Sequence, residues 1–398
     1  MTDANAGAST WTLNCINLSS SDIPQSASLL KQACLDSGFF YVINHGIDQD
    51  LMEEVIVQSR RFFGLPLREK MKLLRNEKHR GYTPLFDEVL DTANQIKGDY
   101  KEGCYVGAEV PEDDPDAKKP HFGPNLWPSE EILPRWGQTM EIFHNQALNV
   151  AKVVARIIVL ALDLEADFFD KPEILSKPIP ILRLLHYEGL ISDPSKGIYG
   201  AGAHSDFGFI TLLATDDVPG LQICKNKDAK PQAWEYVQPL KGMFFTLHNF
   251  LTEHNNLTTI LKTNILSMAI WYIAFIVNLG DMLERWSNWR FSKASYYRLY
   301  LTCCFFASFC QIYTNLYIYI YIGFAIRSTL HLVIGNGQER YSIAFFLEPN
   351  HECLVECLPT CMSKENPPKF PPILCQTYLA QRYGDTHADL DVYRKEEV

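Results

Sequence analysis

From Ile181 onward the chain is written in short runs of apolar, β-branched and aromatic residues, cut by Gly, Pro, Asp and Asn. Runs of that length fit strands and are too short for ordinary helices. Strands are expected at Leu182–Tyr187, Phe209–Ala214, Gly220–Cys224, Trp234–Val237, Phe275–Leu279 and Tyr341–Leu347. Several short strands at close spacing point to a sandwich or jelly roll.

The first 180 residues carry a different texture. Residues 1–10 are small and polar and read as a disordered tail. Trp11–Leu18 is expected as a strand. Ser21 and Asp22 are placed to open a helix that reaches about Ser37 and stops at Gly38. Phe39–Ile43 reads as a buried strand ended by Asn44-His45-Gly46. Asp48 opens a second helix with Leu51, Met52, Val55, Ile56 and Phe62 on one face. Six prolines between 111 and 134 make residues 107–135 an irregular crossing. A long amphipathic helix follows from Trp136 to Leu164, and a helical tail is expected near Gln376–Tyr383. The division is therefore an N-terminal region, 11–135, and a long helix plus β-core, 136–395.

Composition narrows the function. With 47 acidic against 36 basic residues the net charge is −11, which argues against a nucleic-acid or anionic-membrane partner. The 11 cysteines form no CxxC pair, and the N-terminus shows no apolar signal segment, so reduced thiols and a cytoplasmic location are expected. Cys353, Cys357 and Cys361 are spaced four apart, but Pro359 intervenes and a fourth ligand is missing. They read as buried or incidental thiols.

Three motifs carry chemistry. In a strand, His204 and Asp206 of Gly202-Ala203-His204-Ser205-Asp206 would project from one face and could grip one ion, given a second histidine from elsewhere. His387-Ala388-Asp389 and His186-Tyr187-Glu188 are rivals of similar form. Downstream lies His331, followed nine residues later by Arg340-Tyr341-Ser342. Arg340 and Ser342 would share a strand face, and a guanidinium beside a hydroxyl suits a fixed carboxylate.

With Gly38–Gly46, Phe62-Phe63-Gly64-Leu65-Pro66, Thr211-Leu212-Leu213, Gly220-Leu221-Gln222, Asn278-Leu279-Gly280-Asp281 and Ser287-Asn288, these motifs give the chain a clear likeness. It resembles the plant-type 2-oxoglutarate- and Fe(II)-dependent dioxygenases. That isopenicillin N synthase-like family includes flavonol synthases, gibberellin oxidases and tropane-alkaloid hydroxylases. The resemblance implies a mixed α and β fold. Its core would be a double-stranded β-helix (jelly roll) with an N-terminal helical region and flanking helices. It implies His204, Asp206 and His331 as iron ligands. Arg340 and Ser342 would hold the distal carboxylate of 2-oxoglutarate, with Tyr187 as a further contact. It also implies O₂ as oxidant, ascorbate as reductant, and a monomer. The reaction would hydroxylate, desaturate or demethylate a small organic molecule, releasing succinate and CO₂. Where many relatives have Asn, this chain has Leu185. An Fe(II) oxidase of the same fold that dispenses with 2-oxoglutarate, and a catalytically impaired gene product, stand as alternatives.

The family pattern is interrupted twice. Asp206 and His331 lie 125 residues apart, well beyond the family's usual separation. Segments 243–273 and 292–327 account for 67 of these, and removing them restores a family-like spacing of 58. Both are expected to be foreign to the enzyme, as translated introns or gene-model errors, with genuine lineage-specific insertions as the alternative. Leu299–Ile326 is uncharged and long enough to span a bilayer. A single span there would part Asp206 from His331, so no membrane span is expected. Leu332 replaces a usual Arg, and Trp289 stands where a turn would favour Gly.

Overall fold

A computed structural model describes residues 13–240, 273–289, 299–301, 316–318 and 328–386. The N-terminal tail and His387-Ala388-Asp389 lie outside the described residues. So do segments 243–273 and 292–327, except Ile273 and two short strands.

The strands in chain order begin with β1 (Cys15–Asn17), β2 (Phe39–Ile43), β3 (Gly81–Thr83), β4 (Glu102–Gly107) and β5 (Ile179–Tyr187). They continue with β6 (Ala201–His204), β7 (Ile210–Thr215), β8 (Leu221–Cys224), β9 (Trp234–Tyr236) and β10 (Phe275–Leu279). After the short pair β11 (Leu299–Leu301) and β12 (Leu316–Ile318) come β13 (Leu330–Val333) and β14 (Arg340–Glu348). The principal helices are α1 (Ile23–Asp36), α2 (Gln49–Phe63), α3 (Leu67–Met71) and α4 (Trp136–Ala161).

Local chemistry sets the helix ends. The Asp22 carboxylate accepts the Gln25 N–H at 2.9 Å and starts α1. Asp48 accepts the Asp50 N–H at 2.8 Å and starts α2. Gly38, at φ 71°, turns the chain out of α1 and into β2. The apolar stripe of α4, from Trp136 through Phe143, Ala147, Ala151 and Val154 to Ile158, is buried in the main core with Leu212, Val277, Ile343 and Phe345.

The expected double-stranded β-helix, or jelly-roll, core is not what the strands form. Among the described residues an eight-stranded sheet runs β1-β2-β10-β7-β14-β5-β4-β3, and a separate four-stranded sheet runs β6-β13-β8-β9. Both are open. No ladder closes either sheet or joins one to the other among the described residues. The cause lies at the edges of the large sheet. β10 pairs onward with β2, and β5 pairs onward with β4, so the N-terminal region supplies four strands as well as helices. The backbone groups of these edge strands are satisfied by extending the sheet rather than by closing it.

The two sheets meet through Leu13, Phe39, Tyr41, Leu221, Ile223, Val237 and Ile276. On the large sheet, residues paired directly across strands share a face. Tyr187 lies opposite Arg340, Leu185 opposite Ser342, and Arg183 opposite Ala344. Phe346 lies opposite Thr211, which in turn faces Asn278. This inner face looks toward β6 and β13. Among the described residues no helix is long and apolar enough to cross a membrane.

Candidate metal centre

β6 ends on His204, and its cross-strand partner on β13 is His331. Their ring centroids are 4.2 Å apart. Asp206 follows two residues beyond the end of β6. Its backbone carbonyl accepts the Asp281 N–H at 2.8 Å, which fixes the turn out of the strand. Asp206 Oδ1 lies 3.7 Å from His204 Nε2 and 3.5 Å from His331 Nε2. One donor atom from each of the three residues falls within 4.8 Å of the others.

Backbone carbonyls set the ring orientations. His204 Nδ1 donates to the Gly202 carbonyl at 2.7 Å, and His331 Nδ1 donates to the Thr329 carbonyl at 3.1 Å. A carbonyl can only accept, so each neutral ring carries its proton on Nδ1 and offers a free lone pair on Nε2. Asp206 is held the same way. Its Oδ2 accepts from Thr211 Oγ1 at 2.5 Å and from Asn278 Nδ2 at 2.7 Å, leaving Oδ1 beside the imidazoles.

Burial, reinforced by His331, pushes His204 down to about 3, so it stays neutral. Burial opposes ionisation of Asp206, but His331, His204 and Asn278 outweigh it and hold the group well below the usual carboxylate range. Burial likewise opposes a charge on His331, and Asp206 overcomes it, raising His331. Two imidazole nitrogens and one carboxylate oxygen, with room left open, fit the donor set of non-haem Fe(II) sites.

Arg340, Ser342 and Tyr187 are buried beside this cluster. Arg340 Nη1 donates to Ser342 Oγ at 3.3 Å, and its Nε donates to the Val218 carbonyl at 3.3 Å. The guanidinium lies 5.0 Å from the Tyr187 ring centroid. All three residues line a cavity that also reaches His204, Asp206 and His331. Leu185 packs with Tyr187, Ala201 and Val333, giving an apolar wall in that same cavity. The rival His186 lies elsewhere. Its ring sits between Glu102 at 2.7 Å and Glu339 at 2.9 Å.

Several residues escaped the sequence reading. Thr211 and Asn278 stood in quoted motifs, and strand alternation alone would have turned them inward beside Asp206. A buried ionic cluster had no such signal. Lys101 bonds to Asp99 and lies 2.9 Å from Glu88, while Arg183 lies 2.6 Å from Glu88. Asp99 also accepts the Gly202 N–H at 2.9 Å, tying the cluster to the strand that carries His204. Of these four residues only Arg183 stood in an expected strand.

Residues 13–130 match the family model described as non-haem dioxygenase in morphine synthesis N-terminal, and residues 178–254 match the 2OG-Fe(II) oxygenase superfamily. Kihadalactone A synthase LFS of Citrus sinensis is 41% identical over 380 residues, covering 95% of this chain and 93% of that protein. Azadirone synthase LFS of Melia azedarach is 40% identical over 379 residues, covering 95% and 94%. The crystal structure of a full-length Neurospora crassa protein in complex with alpha-KG and 5-formyluracil superposes with a TM-score of 0.66 at 25% identity. That match covers 97% of this chain and 100% of the Neurospora chain. The chain belongs to the 2OG-Fe(II) oxygenase superfamily, related to its plant-type dioxygenases, and is a non-haem Fe(II)- and 2-oxoglutarate-dependent oxidoreductase of a small organic substrate.

Proposed function

We propose that His204, Asp206 and His331 hold the Fe(II), and that Arg340 and Ser342, aided by Tyr187, receive the distal carboxylate of 2-oxoglutarate. The observation that carries this is the convergence of three oriented donors within 4.8 Å, beside a buried arginine in one cavity. When bound, the iron supplies the oxidation of a substrate C–H bond by O₂, coupled to conversion of 2-oxoglutarate to succinate and CO₂. The protein supplies position and dryness. Arg340 balances carboxylate charge in a site shielded from water, where the pairing is strong. Leu185 offers no polar contact, so the cosubstrate depends on the Arg340 end of the cavity.

The prime substrate is a small metabolite taken to a hydroxylated, desaturated or demethylated product. Two plant relatives named for the synthesis of kihadalactone A and azadirone support this over action on a macromolecule. Ascorbate serves as reductant, and the enzyme is a cytoplasmic monomer without a nucleic-acid partner. Segments 243–273 and 292–327 are foreign to the catalytic chain, which divides into 11–135 and 136–395.

Anaerobic titration tests the site. Adding Fe(II) and then 2-oxoglutarate is expected to produce the visible absorption band of a metal-bound 2-oxo acid. His204→Ala should abolish it, and Arg340→Leu should raise the 2-oxoglutarate concentration needed by at least about tenfold. A full band from His204→Ala would sink the ligand assignment.

A further inference from the structure

The Asn278-Leu279-Gly280-Asp281 motif reaches Asp206 twice. Asn278 Nδ2 donates to the Asp206 carboxylate at 2.7 Å, and Asp281 meets the same turn through its backbone. Where β10 passes into the short helix Asp281–Ser287, three consecutive N–H groups grip that turn. Gly280 donates to the Phe209 carbonyl at 3.2 Å, Asp281 to the Asp206 carbonyl at 2.8 Å and Met282 to the Gly208 carbonyl at 3.0 Å. A Cβ on Gly280 would lie 2.3 Å from the Gly208 oxygen and 2.9 Å from the Asp206 oxygen. Glycine is what lets the two segments come together.

The Asp281 side chain is bonded to a different element, the tail helix Cys375–Thr386. Its Oδ2 accepts from Tyr378 Oη at 3.2 Å and lies 3.4 Å from Arg382 Nη2. The Asp281 side chain is 17% exposed, so salt and water screen this pairing less than they would at an open surface. The same helix also touches the Asp206 turn directly. The Arg382 guanidinium lies 4.5 Å from the Phe207 ring centroid, and the Tyr383 ring meets Phe207 edge-on at 5.8 Å. Tyr383 shares with His204, Asp206, Phe207 and Glu348 the lining of a second cavity at the metal cluster. Asp281 thus ties the Asp206 turn to a helix whose Tyr378 lies 97 residues further along the chain.

We propose that Asp281 is a positioning residue of the iron centre. Its carboxylate, anchored by Tyr378 and Arg382, fixes the backbone N–H that sets where Asp206 presents Oδ1. The tail helix thereby takes part in metal binding without supplying a ligand. The inference rests on the assignment of His204, Asp206 and His331 as Fe(II) ligands. Anaerobic titration of the full chain with Fe(II), in the presence of 2-oxoglutarate, therefore starts with the wild-type protein. No absorption band there would overturn both readings, whereas a normal band that the variants below leave untouched would overturn this one alone.

Asp281→Ala keeps the backbone N–H but loses its anchor. It is expected to raise the Fe(II) concentration at half-maximal band by at least about tenfold, as removal of an outer partner does. The 2-oxoglutarate concentration needed at saturating Fe(II) should stay unchanged, because Arg340 and Ser342 belong to another strand. Tyr378→Phe combined with Arg382→Met removes the anchors from the other side and should weaken Fe(II) binding in the same selective way. All three substitutions together should cost less than the product of the two separate losses, since the groups act through one contact. If Asp281→Ala does not fold, the Tyr378→Phe/Arg382→Met protein, which retains Asp281, decides alone. Unchanged Fe(II) affinity, an equal loss of Fe(II) and 2-oxoglutarate affinity, or losses that multiply in full would overturn the proposal.

Discussion

At the residue scale the centre depends on groups that never touch the metal. Asp99 accepts the Gly202 N–H, and the Gly202 carbonyl accepts from His204 Nδ1, so a buried carboxylate two steps away sets the ring that presents Nε2. Outer partners of this kind typically contribute 10–100-fold, roughly, to metal affinity. Asp99→Asn should therefore weaken Fe(II) binding by about that factor, read by metal titration, while the circular dichroism spectrum stays unchanged. Glu348 gives a pH prediction with a defined sign. Its folded pKa of about 8 lies above the 4.5 of a free carboxyl, so between those values the native state keeps a proton that the unfolded chain has lost. Stability conferred by the protonated form thus declines as pH rises from about 4.5 toward 8. In metal-free protein, Glu348→Gln should raise the Tm more at pH 8 than at pH 5. An equal rise at both would show that Glu348 does not titrate in this window.

At the element scale, much was legible because local signals agreed with tertiary demand. Phe39–Ile43 and Phe275–Leu279 are strands over the residues expected, since runs buried on both faces suit the middle of a covered sheet. The caps at Asp22 and Asp48 form as their side chains dictate. Asp48→Ala should cost about 1 kcal/mol of stability by denaturant titration, with the slope of the transition unchanged. Glu102–Gly107 was not legible. It contains two glycines and a charged Glu102, yet every position is buried, because β3 and β5 flank it. Trp289 does occupy the left-handed region, at φ 60°, where a glycine was favoured. Its ring compensates by donating to Glu284 Oε1 at 2.7 Å and packing on Phe370. The open sheets were equally hidden, since strand lengths do not reveal which edges will recruit N-terminal strands.

At the scale of the whole molecule the metal cluster lies where two cavities meet, one holding Arg340 and the other Glu348, at opposite ends of the same strand. The proposed site residues lie close together because His204, Asp206, His331 and the Arg340-Tyr341-Ser342 motif each sit on or beside a strand. The ionic cluster that joins the two cavities depends on contacts as distant as Glu88 to Arg183, which no local pattern encodes. Removing segments 243–273 and 292–327, with short Gly-Ser joins, should leave a protein that forms the full Fe(II)–2-oxoglutarate band with an unchanged or higher Tm. Loss of the band would show that the core needs those segments.

The flanks of both segments are already fastened. Ala274 N donates to the Leu240 carbonyl at 3.1 Å, and the single carboxylate of Glu284 takes Trp289 Nε1 at 2.7 Å on one oxygen and the Ser328 N–H at 2.5 Å on the other. Each pair works as a clasp whose closure does not depend on how much chain is threaded between its halves. Coding length gained or lost at these two points would therefore leave the clasps, and the His204, Asp206 and His331 cluster beyond them, in place. For the same reason, they are the positions at which a reporter domain could be grafted into a working oxygenase.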